Sequence, residues 1–449
     1  MTRGPTPEPA SSGKRDLGYA WYTVSVLTVC YTLSFIDRQI FGLLVGPIKA
    51  EFGVSDTQIG LLSGLAFSLF YTLVSLPLGR LVDRYSRRII IGAGVFFWSL
   101  MTAACAVAPG YGGLFLARMG VGIGEATLAP AAVSMISDSF PNDRLGSAMS
   151  LYGIGIYLGS GLALLLGGAV IAAVSEIPAI TLPVFGEIAS WRATFMIVGL
   201  PGLFIAFWAL SLREPARKNT LKAMDGQTAQ LTIRETLVEV GKRWQAVAGI
   251  ALGLMFQAVA LYSYMLWSPA TLQRTFDWSP QVTGLVMGIV VLIGGTAGML
   301  AGGRFSDRGL RGGRRDAALR VAALSSLGGF AVFALLGLAL QNDWATVSVF
   351  FLGVILLAMP AGSCYAAAQM VFPNQVRGQV MALILFIANL GGLTMGPLLP
   401  GLLNDYVFRD EGALGVSLGI TLAVSTLAAA LVFGWARPAY RRHHEALNP

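Results

Sequence analysis

The sequence predicts an all-α polytopic membrane protein, with twelve transmembrane helices in two pseudo-symmetric six-helix halves. Three observations predict it: the composition, a series of long apolar runs, and a block of residues repeated at a fixed offset. Of 449 residues, 55% are apolar and 12% charged. Soluble domains carry about 25% charge, so this chain lacks the polar surface that two or three soluble domains would need. The same hydrophobicity excludes disorder, which requires few apolar residues and high net charge. The 55 glycines follow no triplet period; in such number they suit close packing of helices in lipid.

A helix needs about 20 predominantly apolar residues to cross a bilayer. Runs of that length occupy about 20–48, 57–81, 89–108, 112–137, 146–173, 192–212, 245–272, 281–303, 318–340, 344–371, 376–403 and 412–436, here spans 1 to 12. Ser55-Asp56-Thr57-Gln58 reads as a capping box opening span 2. Ser279-Pro280 reads as an N-cap followed by proline at the first helical position of span 8. The domain organisation follows: a tail at 1–18, a first half at 19–212, a connecting segment at 213–243, a second half at 244–436 and a tail at 437–449. Within the connecting segment, Thr232-Ile233-Arg234-Glu235 is a further capping-box pattern. Ile233, Leu237, Val240 and Trp244 then recur at helical spacing, which predicts a short amphipathic helix on the membrane surface.

The net charge of +8 does not point to nucleic acid, because the basic residues are scattered over many short loops. Of the 31 Lys and Arg, 25 fall in segments on one side of the membrane and 4 (Lys49, Arg192, Arg274, Arg409) on the other; Arg38 and Arg118 lie within spans. The positive-inside rule therefore predicts that both termini are cytoplasmic. The N-terminal stretch is polar, so no cleavable signal peptide is expected. With an Ala- and Gly-rich composition, this points to a multi-pass protein of a bacterial inner membrane. Cys30, Cys105 and Cys364 all sit in apolar runs, in odd number and without metal spacing, so neither a disulfide framework nor a metal site is expected. The two histidines, His443 and His444, lie in the basic tail. No span contains one, so His-based catalysis in the membrane is not expected, and with no acidic cluster beyond Asp37 and Glu125 neither is an intramembrane enzyme, which would need a nucleophile–base pair or a metal cluster at depth.

At an offset of 224, Gly60, Leu61, Gly64, Gly79, Arg80, Asp83 and Arg84 recur as Gly284, Leu285, Gly288, Gly303, Arg304, Asp307 and Arg308. The halves are therefore related as parallel repeats, the arrangement from which transporters build alternating access. The loop after span 2 reads Gly79-x-x-x-Asp83-Arg84-x-x-Arg87-Arg88, and Gly303, Asp307 and Arg308 occupy the equivalent loop after span 8. Glycine permits close approach of helix ends, an aspartate suits a positive helix N-terminus, and arginines offer forked donors to carboxylates across the inner gate.

Four ionisable residues lie inside spans and away from their ends: Asp37 and Arg38 in span 1, Arg118 and Glu125 in span 4. Each is expensive in hydrocarbon and must face protein or water. Asp37 and Glu125 both fall roughly 18–20 Å from the outer ends of their helices, a shared depth near mid-membrane. Arg118 and Glu125 are seven residues apart and so share a helix face. An arginine that changes carboxylate partners between conformations would load and release a proton, so Asp37 and Glu125 are expected to couple protons and Arg38 and Arg118 to switch charge or bind an anion. The second half lacks such charges in spans 7 and 10. It offers Gln257, Tyr262, Tyr264, Trp267, Gln369 and Asn389 as cavity-lining candidates.

The two signature loops resemble the cytoplasmic motif of the major facilitator superfamily. Arg118-x-x-x-Gly122-x-Gly124-Glu125-Ala126 is similar to its fourth-helix motif, with the acidic ending of the Spinster-type branch. Ser34-Phe35-Ile36-Asp37-Arg38-Gln39 and Trp191-Arg192-x-x-Phe195 look like that branch too. The resemblance implies the major facilitator fold and, from the branch's animal members, lysophospholipid or sphingosine-1-phosphate transport, with Asp37, Arg38, Arg118 and Glu125 as the buried ionisable set. One departure concerns span 5. Gly155-x-x-x-Gly159-Ser160-Gly161 lacks the proline that ends the antiporter motif, while Gly396-Pro397 appears in span 11. Symport and antiport both stay open. The expected function is proton-coupled transport of an amphipathic organic anion by a monomer, with no cofactor beyond the proton, and with substrate and membrane lipid as partners. The alternative is a facilitator for a small hydrophilic anion such as a carboxylate or sugar phosphate.

Overall fold

The computed structural model describes residues 11–175, 180–182, 186–217, 240–370 and 377–447. Among them are twelve helices long and apolar enough to cross a membrane. Large apolar side chains such as Phe204, Phe207 and Leu338 stand exposed on the perimeter, as contact with lipid tails requires. The first half contains span 1 (Ser11–Leu43), span 2 (Asp56–Ser63 and Leu65–Arg84), span 3 (Arg87–Ala106), span 4 (Tyr111–Glu125 and Leu128–Ser139), span 5 (Asn142–Ser175) and span 6 (Ser190–Leu210). The second contains span 7 (Trp244–Phe276), span 8 (Pro280–Arg311), span 9 (Ala317–Ala334), span 10 (Asp343–Met370), span 11 (Arg377–Phe408) and span 12 (Leu414–Leu447).

The start signals form as expected. The Ser55 hydroxyl accepts from the Gln58 N–H and the Gln58 side chain accepts from the Ser55 N–H, closing the capping box. Ser279 accepts from the Val282 N–H ahead of Pro280. Other details differ from expectation. Span 1 ends at Leu43, and a separate helix, Val45–Phe52, follows and stops at Gly53 with φ 62°. Pro47 lies in its first turn, where a missing N–H is tolerated. Spans 5 and 6 are joined by an antiparallel hairpin, β1 (Ile180–Leu182) and β2 (Gly186–Ile188). Span 8 passes through a π-helical stretch at Val290–Gly295, and span 11 ends in another at Leu403–Phe408. The helix of span 12 runs on to Leu447, through the expected tail. The expected surface helix of the connecting segment falls largely on 218–239, outside the described residues.

The repeated glycines mark where the halves meet. A Cβ on Gly60 would come within 2.6 Å of the Pro397 carbonyl, and one on Gly64 within 2.9 Å of the Thr394 carbonyl, so span 2 crosses span 11 backbone to backbone. Their counterparts do the same to span 5: a Cβ on Gly284 would overlap the Leu164 carbonyl, and one on Gly288 would lie 3.0 Å from the Gly161 carbonyl. Packing differs between the two ends of the bundle. At the end carrying Asp56, one apolar cluster joins both halves, from Ile40, Leu62 and Phe195 to Tyr264, Trp267 and Phe350. Toward the end carrying Arg87, one cluster belongs almost wholly to the first half (Trp98, Met135, Phe140) and another to the second (Ile250, Phe433, Tyr440). The structure is therefore sealed at the Asp56 end.

Candidate functional site

Spans 1 and 4 bring the four ionisable residues together. Arg38 donates from Nε at 2.6 Å and from Nη2 at 2.5 Å to Glu125 Oε2, and Ser34, one turn earlier on span 1, donates to the same oxygen at 2.5 Å. The pair is buried, with the Arg38 side chain 11% and that of Glu125 0% exposed. Arg38 is also held by rings: its guanidinium carbon lies 4.9 Å from the Phe35 centroid, 4.4 Å from that of Phe67 and 5.1 Å from that of Tyr71. Cations are attracted to ring faces at such distances, so the arginine is fixed from several sides.

Asp37 points elsewhere. Its Oδ2 accepts from the Thr102 hydroxyl of span 3 at 3.2 Å, and its Oδ1 is buried without a hydrogen-bond partner. Arg118 makes no ion pair among the described residues. Its Nη1 reaches the Asp37 backbone carbonyl at 3.4 Å, its Nε has no partner, and its guanidinium lies 5.4 Å from the Phe41 centroid and 5.8 Å from that of Phe67. The Phe67 ring thus lies within about 6 Å of both buried cations. Glu125 Oε1 is likewise without a partner. Buried polar atoms in folded proteins are almost all satisfied, so three orphans on three charged side chains mark a place built to receive something.

A narrow cavity of about 30 Å³ opens beside these groups, between Arg38, Arg118 and Phe67 of the first half and Tyr262, Met265 and Pro397 of the second. That is room for about one water. Tyr262 is therefore the aromatic candidate of the second half that faces the charges. Its neighbours do not. Gln257 donates to the Leu357 carbonyl and accepts from Ser326, Tyr264 donates to the Phe350 carbonyl, and Trp267 donates to the Pro397 carbonyl. These three side chains brace the second half internally. Asn389 is half-buried on span 11, and the Gln369 side chain lies outside those described.

The loop motif is also divided by the structure. Gly79 and Asp83 fall in span 2, with side-chain surroundings outside the described ones; Arg84, Asp307 and Arg308 are exposed, and Gly303 is half-buried. Arg87 is buried and bonds to Asp138 and to Glu214, the latter at 2.7 Å, while the Arg88 guanidinium donates to the Leu212 carbonyl at 3.2 Å. These partners belong to the first half or to the stretch just after span 6, whereas the sequence reading expected carboxylates across the gate. A buried arginine needs its counter-ions at hand, and here its own half supplies them. Burial alone would raise the Glu214 carboxyl, but the Arg87 guanidinium, the Ser86 hydroxyl and the Arg88 N–H outweigh it and hold the group below its ordinary value.

One functional cluster was not anticipated. Asp56, read as part of a cap, is fully buried and receives Lys49 at 2.7 Å, both Nη atoms of Arg274 at 2.7 Å and the Asn404 amide at 2.7 Å. Beside it, the Thr57 N–H donates to Asp405 Oδ2 at 2.6 Å. Arg274 ends span 7 and Asn404 lies in span 11, so the cluster ties the two halves together at the sealed end. The motif residue Arg192 is structural: it grips Glu51 at 2.5 Å and caps the carbonyls of Ala106 and Ala108 at the end of span 3.

The chain matches the Major Facilitator Superfamily over residues 27–397. It is 30% identical to an MFS-type efflux pump of Mycolicibacterium smegmatis, with 94% of each chain covered. It is 25% identical to a probable L-galactonate transporter of Escherichia coli, covering 88% of this chain and 85% of that one. Identity to a sphingosine-1-phosphate transporter of Xenopus tropicalis is 25%, over 89% of this chain and 77% of that one. Among solved structures, a bacterial homolog of the human lysosomal transporter Spinster, inward-facing and unoccupied, aligns with TM-score 0.75 at 25% identity, covering 96% of this chain and 98% of that one.

Proposed function

The chain belongs to the Major Facilitator Superfamily, and from that premise we propose that it is a proton-coupled carrier of an amphipathic organic anion, of lysophospholipid or sphingoid-phosphate type. It is a transporter with Spinster-like relatives; the substrate class and the coupling are our reading. The observation that carries it is Arg118: fully buried, beside the cavity between the halves, without an ion pair among the described residues. A buried cation without a carboxylate in contact favours an anion. Ionised Asp37 partly neutralises Arg118, whereas protonated Asp37 leaves it to the substrate, so proton and anion load together. Arg38, held by three rings and Glu125, is the fixed member, and a proton on Glu125 weakens that pair. We assign the Arg87 end to the cytoplasm and the sealed Asp56 end to the outside, in the inner membrane of a bacterium, with the monomer as the working unit. Rocking of the halves then exposes the site alternately.

The test is uptake of a fluorescent lysophospholipid into proteoliposomes under a pH gradient. Asp37→Asn and Glu125→Gln should lose gradient-driven uptake; if both retain the wild-type rate, the coupling is wrong. A second reading, a small hydrophilic carboxylate as cargo, is supported by the tightness of the 30 Å³ cavity and by the L-galactonate relative. Competition decides between them: lysophospholipid should suppress uptake, and suppression by L-galactonate alone favours the second reading.

A further inference from the structure

Span 8 ends at Arg311 and span 9 begins at Ala317. Between their ends and span 10 lies a cavity of about 640 Å³, well away from the buried charges. That volume lies within the roughly 300–1,000 Å³ of ligand-sized pockets. Arg308, Arg314 and Arg320 line it, and no acidic residue does. The two acids of this stretch, Asp307 and Asp316, are not part of the wall, and Asp316 is engaged by Arg437 at 2.7 Å. Among the described residues, no ion pair is recorded for any of the three arginines. Asp307 and Asp316 stand near them in the chain, but neither forms an ion pair with them within 4.0 Å.

The rest of the wall is apolar and graded in depth. Arg320 sits in the first turn of span 9, and Leu324 lies one turn further in, about 6 Å along the axis. Leu356 of span 10 continues the wall. Phe305 and Leu324 are 50% and 57% exposed, on helices whose outer faces meet lipid. The cavity therefore offers guanidinium groups at the helix ends and an open hydrocarbon wall below them. A soluble anion would use the first and leave the second facing nothing.

We infer that this cavity binds a membrane-resident acidic phospholipid, its phosphate held by Arg308, Arg314 and Arg320 and its acyl chain laid along Phe305, Leu324 and Leu356. Guanidinium groups match phosphate oxygens as paired donors, and basic pockets between helix ends are where acidic head groups are drawn. The lipid tethers the connection between spans 8 and 9 to the plane of the bilayer. The site is independent of the transported substrate, because neither Arg314 nor Arg320 belongs to the buried charge site.

The full-length protein, purified in detergent, is titrated with dioleoylphosphatidylglycerol, dioleoylphosphatidylcholine or inorganic phosphate, and bound lipid is counted by native mass spectrometry. The wild type should hold one phosphatidylglycerol at least tenfold more tightly than the Arg314→Gln/Arg320→Gln variant, with phosphatidylcholine bound alike by both. Equal phosphatidylglycerol affinity in the two proteins overturns the assignment. Displacement of the lipid by equimolar inorganic phosphate overturns it too, and makes the pocket a free-phosphate site. Should the double variant not fold, Leu324→Trp decides. Its added fluorescence should be quenched several-fold more by brominated phosphatidylglycerol than by brominated phosphatidylcholine, and equal quenching removes the site.

Discussion

The two halves share a repeat but treat buried polarity in opposite ways. In the first, Asp37, Arg118 and Glu125 each keep one buried polar atom without a partner. In the second, the unpartnered buried atoms of spans 7 and 8, Ser268 Oγ, Gln273 Nε2 and Thr283 Oγ1, are all on neutral groups, and four polar side chains of span 7 are satisfied by backbone carbonyls of neighbouring helices: Gln257 by Leu357, Ser263 by Gly396, Tyr264 by Phe350 and Trp267 by Pro397. A half with open valences can exchange protons and ions. A half whose buried centre holds neutral groups, several of them bonded to its own backbone, serves as the wall against which the first moves. Tyr262 is the exception, because it lies in the cavity wall opposite Arg38 and Arg118.

The contrast breaks most readily at Glu125. Glu125→Leu leaves Arg38 buried with no carboxylate in contact, which should destabilise the fold by about 3–5 kcal/mol; chemical denaturation in detergent measures this, and a loss under 1 kcal/mol would mean that the ring cage alone holds the cation. The next effect belongs to the seal between the halves. Asp56→Ala removes the acceptor of Lys49, Arg274 and Asn404, and at about 2 kcal/mol should shift the closed-to-open balance of that end about thirtyfold. Spin labels at Pro109→Cys and Asp410→Cys should show a longer-distance population growing in the variant. An unchanged distribution would assign the seal to apolar packing.

A smaller effect tests the second half. Gln257→Leu strands the Leu357 carbonyl and the Ser326 hydroxyl, a destabilisation of about 1–2 kcal/mol, with substrate affinity and turnover within twofold of wild type. Loss of transport at unchanged stability would instead make Gln257 a substrate contact. The smallest effect is electrostatic, at Glu214. A carboxylate held below its ordinary value adds stability that is fully present above the unfolded value of about 4.3 and is lost as pH falls toward and through the lowered folded one. Glu214 is partly solvated, so the contribution is at most about 1 kcal/mol. Melting curves of wild type and Glu214→Gln should differ near pH 7 and converge in acid; a gap that widens in acid reverses the sign.

The twelve spans were legible because each is a long apolar run, and the buried charges because such residues stand out in one. Asp56 was not. It carries an ordinary local explanation, the capping box, and its decisive partners lie 218 and 348 residues away, at Arg274 and Asn404. The aromatic setting of Arg38 was hidden for a similar reason. Phe67 and Tyr71 read as ordinary lipid-span residues until span 2 is placed against span 1. Gln257, Tyr264 and Trp267 were legible as polar groups in a span, but sequence does not say whether a donor meets a cavity or a neighbouring carbonyl. For Arg87 the residue type was informative and the partner was not.

The wide turn at Val290–Gly295 has a geometric consequence. A π segment closes its hydrogen bonds five residues back rather than four, so it takes up one residue without lengthening the rod. Everything beyond it on span 8 is set back by about 1.5 Å and turned by about 100° from a straight continuation. Span 2 is ordinary α-helix over the matching 66–71 and bends instead at Gly64, the counterpart of Gly288, with ψ −84°. The two Gly-x-x-x-Asp-Arg signatures, spelled alike, therefore stand at different heights and azimuths on their own halves. A rotation that exchanges the halves therefore does not superpose their two inner gate loops, and the inner gate is built from two unlike sides. The difference between the two sides is wound into one helix.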